Sequence, residues 1–580
     1  MAEGRRRMTW WSEFQHAAVR FKNIPMRHGN TGNDLKGNSE DGGSSLERKL
    51  GLWDLILLGI GASIGAGIFV VTGTVAQDAG PGVVLSFLLA GGASILNALC
   101  YAELSSRFPA HVGGAYLYAY FTFNELTAFI VFVNVMFDYH IGAASVIRSL
   151  ASYLATLLKL IPAFSILPEV FGPGGKEFYG GWVSINLMAP ILLTIITFVL
   201  CQGVRESAIV NGVMTVTKIV IVLLVVLAGS FEVDVSNWTP FAPFGLPAIV
   251  QGATVVFFAY VGFDAVANSA EETKHPQKDL PRAIIISVLS CALLYVAVCL
   301  VVTGMVPYYE LDAAAPLTSA FISKGLNFMS SLIGVGAVAG LTTTVLIGLY
   351  VQSRLYLGVG RDGLLPSLFA KVNSKHHTPV IAQIWVGIVA GVLATFINVS
   401  HLSHILSVGI LIGYSVVCAC VVVLRVLPEE QWRSDERQGG AKDVRRTQGA
   451  VGCTLVTAAL GFAIGLCYRY GAHPAFAISL LLLELLCAVP MYTHQEYFEP
   501  SGFACPAVPT LPLFSILVNM FLFAQLHWEA WVRFAVVTLL ALILYGVYGQ
   551  FHSTIETVQD KGSSQYLKAP DGDGESAYIT

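Results

Sequence analysis

The chain has 580 residues, of which 55% are hydrophobic and only 12% charged, with a mean hydropathy of +0.67. Average chains carry about 25% charged residues, so a soluble multidomain protein is excluded and a polytopic membrane protein is implied. The net charge of −4 decides nothing by itself, and the ten cysteines form no CxxC pair and accompany no His-rich spacing. That pattern offers neither a disulfide framework nor a metal site, and no nucleic-acid partner is expected.

Residues 1–50 are polar and read as a cytoplasmic N-terminal tail without a signal peptide. Arg5-Arg6-Arg7 gives this stretch some likeness to a transit peptide, whereas Glu3, Glu13, Glu40 and Asp41 argue against one. Fourteen apolar runs of membrane-spanning length follow. These spans 1–14 lie at about 53–75, 83–106, 125–157, 183–201, 211–230, 248–270, 283–305, 329–353, 379–397, 403–425, 449–468, 473–492, 506–526 and 531–550. Ten of them make a core over 51–425, a charged cytoplasmic linker occupies 426–448, four more fill 449–551, and 552–580 is a polar cytoplasmic tail. With the N-terminus inside, 26 of the 33 Lys and Arg residues fall in cytoplasmic segments and five, among them Arg533, on the other side. This bias satisfies the positive-inside rule and predicts an N-in, C-in topology.

Span 1 carries Gly59, Gly61, Gly65 and Gly67 within Gly59-Ile60-Gly61-Ala62-Ser63-Ile64-Gly65-Ala66-Gly67. Each glycine costs a helix about 1 kcal/mol against alanine. Two readings follow: close helix–helix packing through small residues, or a broken helix whose bare N–H groups line a mid-membrane cavity. Span 6 supplies a second interruption, Phe257-Phe258-Ala259-Tyr260-Val261-Gly262-Phe263-Asp264, five spans later. Interruptions in corresponding places of two halves point to a substrate site between inverted repeats.

Ionisable residues within spans are costly and default to functional candidates. Asp138 in span 3 reads as a carboxylate facing the cavity, able to attract an ammonium; a pair with Arg148 on the same helix is about 15 Å away along its axis. Lys218 lies seven residues into span 5, about 10 Å from its start. It either snorkels to the surface or sits buried as a group that gains and loses a proton. Asp264 either binds substrate or hydrogen-bonds the broken backbone of span 6. Arg148 is expected at the far interface with its stem along lipid, His140 is a candidate for titration near neutral pH, and Glu484 in span 12 reads as a packing or oligomer feature.

The segments GIGASIGAGIFVVTGTVAQDAGPGVVLSFLLAG, YAELSSRFPAHVGGAYLYAY, FFAYVGFDAVANSAEETKHPQKDLPRAI, QSRLYLGVGRDGLLP and FACPAVPTLPLFSILVNMFLFAQLHWEAWVRF resemble the amino acid–polyamine–organocation superfamily. Within it, the closing segment and the span count resemble the cationic amino acid transporter family, in the style of a plant member. The resemblance implies a leucine-transporter-type fold, all-α, with a 5+5 inverted repeat, spans 1 and 6 unwound, and four additional C-terminal helices. It also implies that N–H groups around Ser63, Gly65, Ala66 and Gly67 hold a substrate carboxylate, and that carbonyls of Phe258, Ala259 and Val261 receive its ammonium. Tyr260, Asp264 and His140 would shape or gate the site. Asp138-Tyr139 stands where the family has a glutamate and tyrosine, and Lys218 where proton-coupled members carry a lysine. The implied function is secondary, proton-coupled transport of cationic amino acids, with neutral or acidic ones open, in a vacuolar, endomembrane or plasma membrane. No ATPase motif is present, and no enzyme activity or cofactor is expected. Exchange without proton coupling and a non-transporting amino acid receptor are the alternatives; oligomeric state is left open.

Overall fold

The computed structural model describes residues 48–554, apart from 66, 109–112, 160–167, 173–174, 179–182, 312–314, 398–407, 429–440 and 494, together with 14–15, 17–20, 22 and 46. Most of the two tails and the middle of the linker lie outside these residues, as does Ala66 of the predicted site.

Span 1 is split into α1 (Leu52–Ser63), a π turn (Gly67–Val71) and α2 (Thr72–Ala79). Span 2 is α3 (Val83–Arg107), followed by the short α4 (Gly114–Thr122) and by span 3, α5 (Glu125–Lys159). An antiparallel hairpin of β1 (Lys176–Phe178) and β2 (Val183–Ile185) comes next, so span 4 starts as strand and becomes helix only in α6 (Met188–Gln202). Gly203, at φ 149°, turns the chain directly into α7 (Val204–Ser230), which is span 5. The expectation that this helix starts near residue 211 is corrected: Arg205-Glu206 resembles a loop in charge but lies in its first turn.

Span 6 is α8 (Gly245–Val256), a 3-10 turn (Phe257–Tyr260) and α9 (Phe263–Ala267); span 7 is α10 (Pro276–Met305). After α11 (Pro316–Ser323), spans 8 to 10 are α12 (Asn327–Arg361), α13 (Val380–Phe396) and α14 (Val408–Leu424). The last four are α15 (Ala441–Arg469), α16 (Pro474–Thr493), α17 (Thr510–Gln525) and α18 (Trp528–Leu544), the last continued by a π turn (Tyr545–Gly549) and α19 (Gln550–His552). Among the described residues, ten helices are long and apolar enough to cross a membrane, while α6, α13, α14 and α17 are apolar but shorter.

Outward faces expose Leu88, Phe198, Leu223, Leu293, Ile388 and Leu485. Apolar surface on this scale is unstable in water and matches the acyl chains of a bilayer. The interior is where the polar groups gather. Arg354 and Glu272, both fully buried, meet at 2.7 Å, and Arg425 holds Glu103 at 2.6 Å while also donating to the Cys505 carbonyl at 3.0 Å. Each such pair satisfies charges that would be prohibitive alone. In the centre, α1 packs on α10, α7 and α12, and α12 packs on α5; α17 lies on α15, α14 and α3, and α18 on α5. The protein is an all-α, multi-pass membrane protein whose two interrupted spans sit at its middle.

Candidate substrate site

A helix leaves its last four carbonyls without intrahelical donors, and α1 stops inside the protein. The accounting closes nonetheless. Ile64 leaves the helix with ψ 94°, although its N–H still donates to the Ile60 carbonyl. Lys218 donates from Nζ to the Gly61 carbonyl at 2.7 Å and the Ile64 carbonyl at 2.6 Å, and to Thr343 Oγ1 at 2.8 Å. Thr344 Oγ1 donates to the Ala62 carbonyl at 3.2 Å, and the Tyr295 hydroxyl donates towards the Ser63 carbonyl at 2.7 Å. An ammonium at this end also opposes the negative pole of the helix dipole. Snorkelling of Lys218 is thereby ruled out: it lies fourteen residues after Val204, the first residue of α7, and is fully buried.

The second break is built differently. The Val261 N–H donates to the Phe258 carbonyl at 3.2 Å, and the chain then turns through Gly262 at φ 147°. Only glycine adopts that conformation without strain. Asp264 Oδ1 accepts from the Gly262 N–H at 3.1 Å, and its other oxygen accepts from the Tyr139 hydroxyl. The Ala259 carbonyl accepts from Tyr295 at 2.8 Å, so this one hydroxyl stands between the two breaks.

The glycines of span 1 each face a different neighbour. A Cβ on Gly59 would lie 2.6 Å from Ser287, on Gly61 2.5 Å from Asn211, on Gly65 2.1 Å from Thr344 and on Gly67 2.2 Å from Ala259. Small-residue packing and helix breakage therefore coexist in one stretch. Among the described residues, no backbone carbonyl accepts from the Gly65 N–H, while the Gly65 carbonyl accepts from Ile68 and Phe69.

Between the breaks lies a cavity of about 60 Å³, several times the room one water needs. Of the predicted residues, Ser63, Gly67, Asp138, Phe258, Val261 and Asp264 line it. Gly65, Ala259, Tyr260, His140 and Lys218 stand outside the lining. Tyr260 donates to the Phe87 carbonyl at 2.8 Å, and His140 Nε2 turns away to the Tyr356 hydroxyl at 3.2 Å.

Three charges have partners that the sequence does not show. Asp138 reaches the cavity but is not an open carboxylate: Oδ1 lies 2.6 Å from Arg533 Nη1, and Oδ2 accepts from the Ile410 N–H at 3.0 Å. Arg533, among the far-side charges of the sequence, enters from α18 to reach span 3. Arg148, expected along lipid, is buried, donating to the Ser184 carbonyl at 3.1 Å, the Ser184 hydroxyl and the Ile397 carbonyl, because it ties α5 to β2 and to the end of α13. Glu484 accepts from Thr457 Oγ1 at 2.7 Å between α16 and α15. Sequence reasoning missed Thr343, Thr344 and Tyr295; three consecutive threonines, Thr342-Thr343-Thr344, inside an apolar span were the available signal.

The sequence signature of the family described as Amino acid permease matches residues 50–526, and that described as C-terminus of AA_permease matches 503–553. The chain is 56% identical to Cationic amino acid transporter 9, chloroplastic, of Arabidopsis thaliana, over 98% of this chain and 97% of that one. It is 32% identical to Cationic amino acid transporter 4, vacuolar, of the same plant, over 89% and 94% of the two chains. Branched-chain amino acid permease BcaP of Bacillus subtilis (strain 168) is 33% identical over 89% and 96%. With a broken-helix cavity at its centre and such agreement along nearly its whole length, the chain belongs to the cationic amino acid transporter family of the amino acid–polyamine–organocation superfamily, on its plant branch.

Proposed function

We propose that the protein is a secondary amino acid permease that works by alternating access about the two breaks. The observation that carries this reading is that both interrupted spans end on one buried cavity. Backbone of that kind is tolerated in a membrane where it lines a binding site. Of the N–H groups assigned to the substrate carboxylate, that of Ser63 lies within α1 and Gly65 stands outside the lining, which leaves Gly67, on the cavity wall beyond the end of the helix, as the leading donor. Of the three carbonyls assigned to the substrate's ammonium, those of Phe258 and Ala259 already accept internal hydrogen bonds, which leaves Val261, on the cavity wall, as the leading acceptor. Spans 1–5 and 6–10 form the inverted repeat over 51–425, spans 11–14 flank it, and the fourteen-span chain has both termini in the cytoplasm.

Lys218 is the proton-responsive group of this cycle. Its ammonium holds the Gly61 and Ile64 carbonyls together and also donates to Thr343, so loss of its proton takes away the positive charge and one of three donors and loosens the clamp on the end of α1. The relatives' names cover cationic and branched-chain amino acids, and a zwitterion common to both is what the two breaks are equipped to hold.

The test is uptake by purified, full-length protein in proteoliposomes, with labelled alanine, leucine, arginine and glutamate, each with and without an inward proton gradient. Accumulation driven by the gradient is expected. Counterflow that ignores the gradient would leave an exchanger, and binding without flux a receptor.

For cellular location we propose the vacuolar, endomembrane or plasma membrane. The relative named Cationic amino acid transporter 4, vacuolar, supports this reading. A fluorescent fusion in leaf cells should outline one of these membranes; coincidence with chlorophyll would overturn it.

A further inference from the structure

The Asp138–Arg533 pair joins the wall of the cavity to a helix outside the ten-span core. Arg533 lies in the second turn of α18, with its side chain 11% exposed and that of Asp138 fully buried. Its guanidinium carbon also lies 5.4 Å from the centre of the Phe137 ring, a cation–π contact. The second carboxylate oxygen of Asp138 accepts from Ile410 in the first turn of α14, where the helix dipole favours a negative charge. Arg533 and the Ile410 N–H each take a position at one oxygen of Asp138, so an incoming ammonium or guanidinium meets a carboxylate that already has a counter-charge.

We infer that Arg533 is a specificity-determining residue: it fills the place at Asp138 that a cationic substrate side chain would take, so the cavity selects amino acids with small neutral side chains. The inference rests on the amino acid permease reading. Charge counting around the cavity supports it. Asp138 and Asp264 are the carboxylates on the wall, and Arg533 and Lys218 are the cations behind it. Asp264 is committed as well, to the Gly262 N–H and the Tyr139 hydroxyl. Lys218 is taken up by backbone carbonyls, and the counter-charge of Asp138 is already Arg533, so a further cation entering a site of low dielectric gains a partner only by displacing Arg533. The rest of the wall suits an apolar group: Ala143, Val146, Ile347 and Val351 face the space, and its volume of about 60 Å³ favours a short one.

The design is falsifiable by a gain of function. Full-length protein, Arg533→Gln and the double variant Asp138→Asn/Arg533→Gln are reconstituted, and counterflow of labelled alanine and labelled arginine is measured for each. The parent is expected to prefer alanine by about tenfold or more. Arg533→Gln, by freeing the carboxylate, should raise the arginine-to-alanine ratio by about tenfold. The double variant, which leaves no charge buried alone, should lose that gain. Equal arginine and alanine fluxes in the parent overturn the inference while leaving the permease reading intact, and they do so even where the single variant fails to reconstitute. An arginine gain that persists without Asp138 also overturns it. Absence of flux for every amino acid in the parent overturns the permease reading itself.

Discussion

Lys218→Met is expected to abolish uptake driven by a proton gradient while counterflow exchange continues. Methionine keeps most of the stem volume, so the change isolates the ammonium from its packing. Loss of that group takes away the hydrogen bonds to the Gly61 and Ile64 carbonyls. Gly61 still accepts from Thr343 at 3.2 Å, whereas Ile64 keeps no other recorded donor among the described residues. A buried acceptor left unsatisfied costs about 1–3 kcal/mol, so the purified variant should also melt at a lower temperature than the parent. Paired proteoliposome assays, one with an imposed gradient and one with unlabelled substrate inside, separate the two effects. A variant that still follows the gradient would move the proton-responsive group away from Lys218. A variant that loses both activities but folds normally would make the clamp necessary for exchange too.

Gly262→Val should silence the protein altogether. The new side chain meets two independent obstacles. At φ 147° a β-branched residue is strained, an expense of about 1–3 kcal/mol. Its Cβ would also lie 2.6 Å from the Ala62 Cβ and 2.8 Å from the Ser63 nitrogen, and overpacking adds about 1–3 kcal/mol more. Because Ala62 and Ser63 are the end of α1, relief of the clash pushes apart the two breaks that face the cavity. Uptake of every amino acid is expected to fall by about a hundredfold or more, measured at equal amounts of reconstituted protein. By comparison, Gly92→Ala on α3, where an added Cβ meets nothing within 4 Å, serves as the control for a helical glycine in open space. Normal flux through Gly262→Val would mean that the breaks do not need to touch.

The two breaks could be read from composition because glycine in an apolar span is penalised by the helix itself, so its presence there needs a reason. The same holds for the broad order of apolar runs and the helices that fill them, although residues 183–187 are strand and turn and α7 starts seven residues before Asn211. Individual charges were less legible. Loop counting assigns an arginine to one side of the membrane, but it says nothing about which way the side chain folds. Arg533 turns inward to a carboxylate on span 3, and Arg148 turns inward to Ser184 and Ile397. Both partners are remote in sequence, and no period or spacing connects them. Lys218 failed as a snorkelling residue for a more local reason. The distance to the surface was measured from the first apolar residue, whereas the helix starts among the charged residues before it.

Tyr295 brings one further consequence. Its hydroxyl has a single hydrogen, yet it lies 2.7 Å from the Ser63 carbonyl and 2.8 Å from the Ala259 carbonyl. These belong to opposite halves of the proposed repeat, and the hydrogen cannot serve both in full at one moment. Should either half-helix swing away, the remaining carbonyl inherits the whole bond. A tether shared in this way imposes no order on the two movements. Any preference for opening one side of the membrane first must come from elsewhere in the molecule.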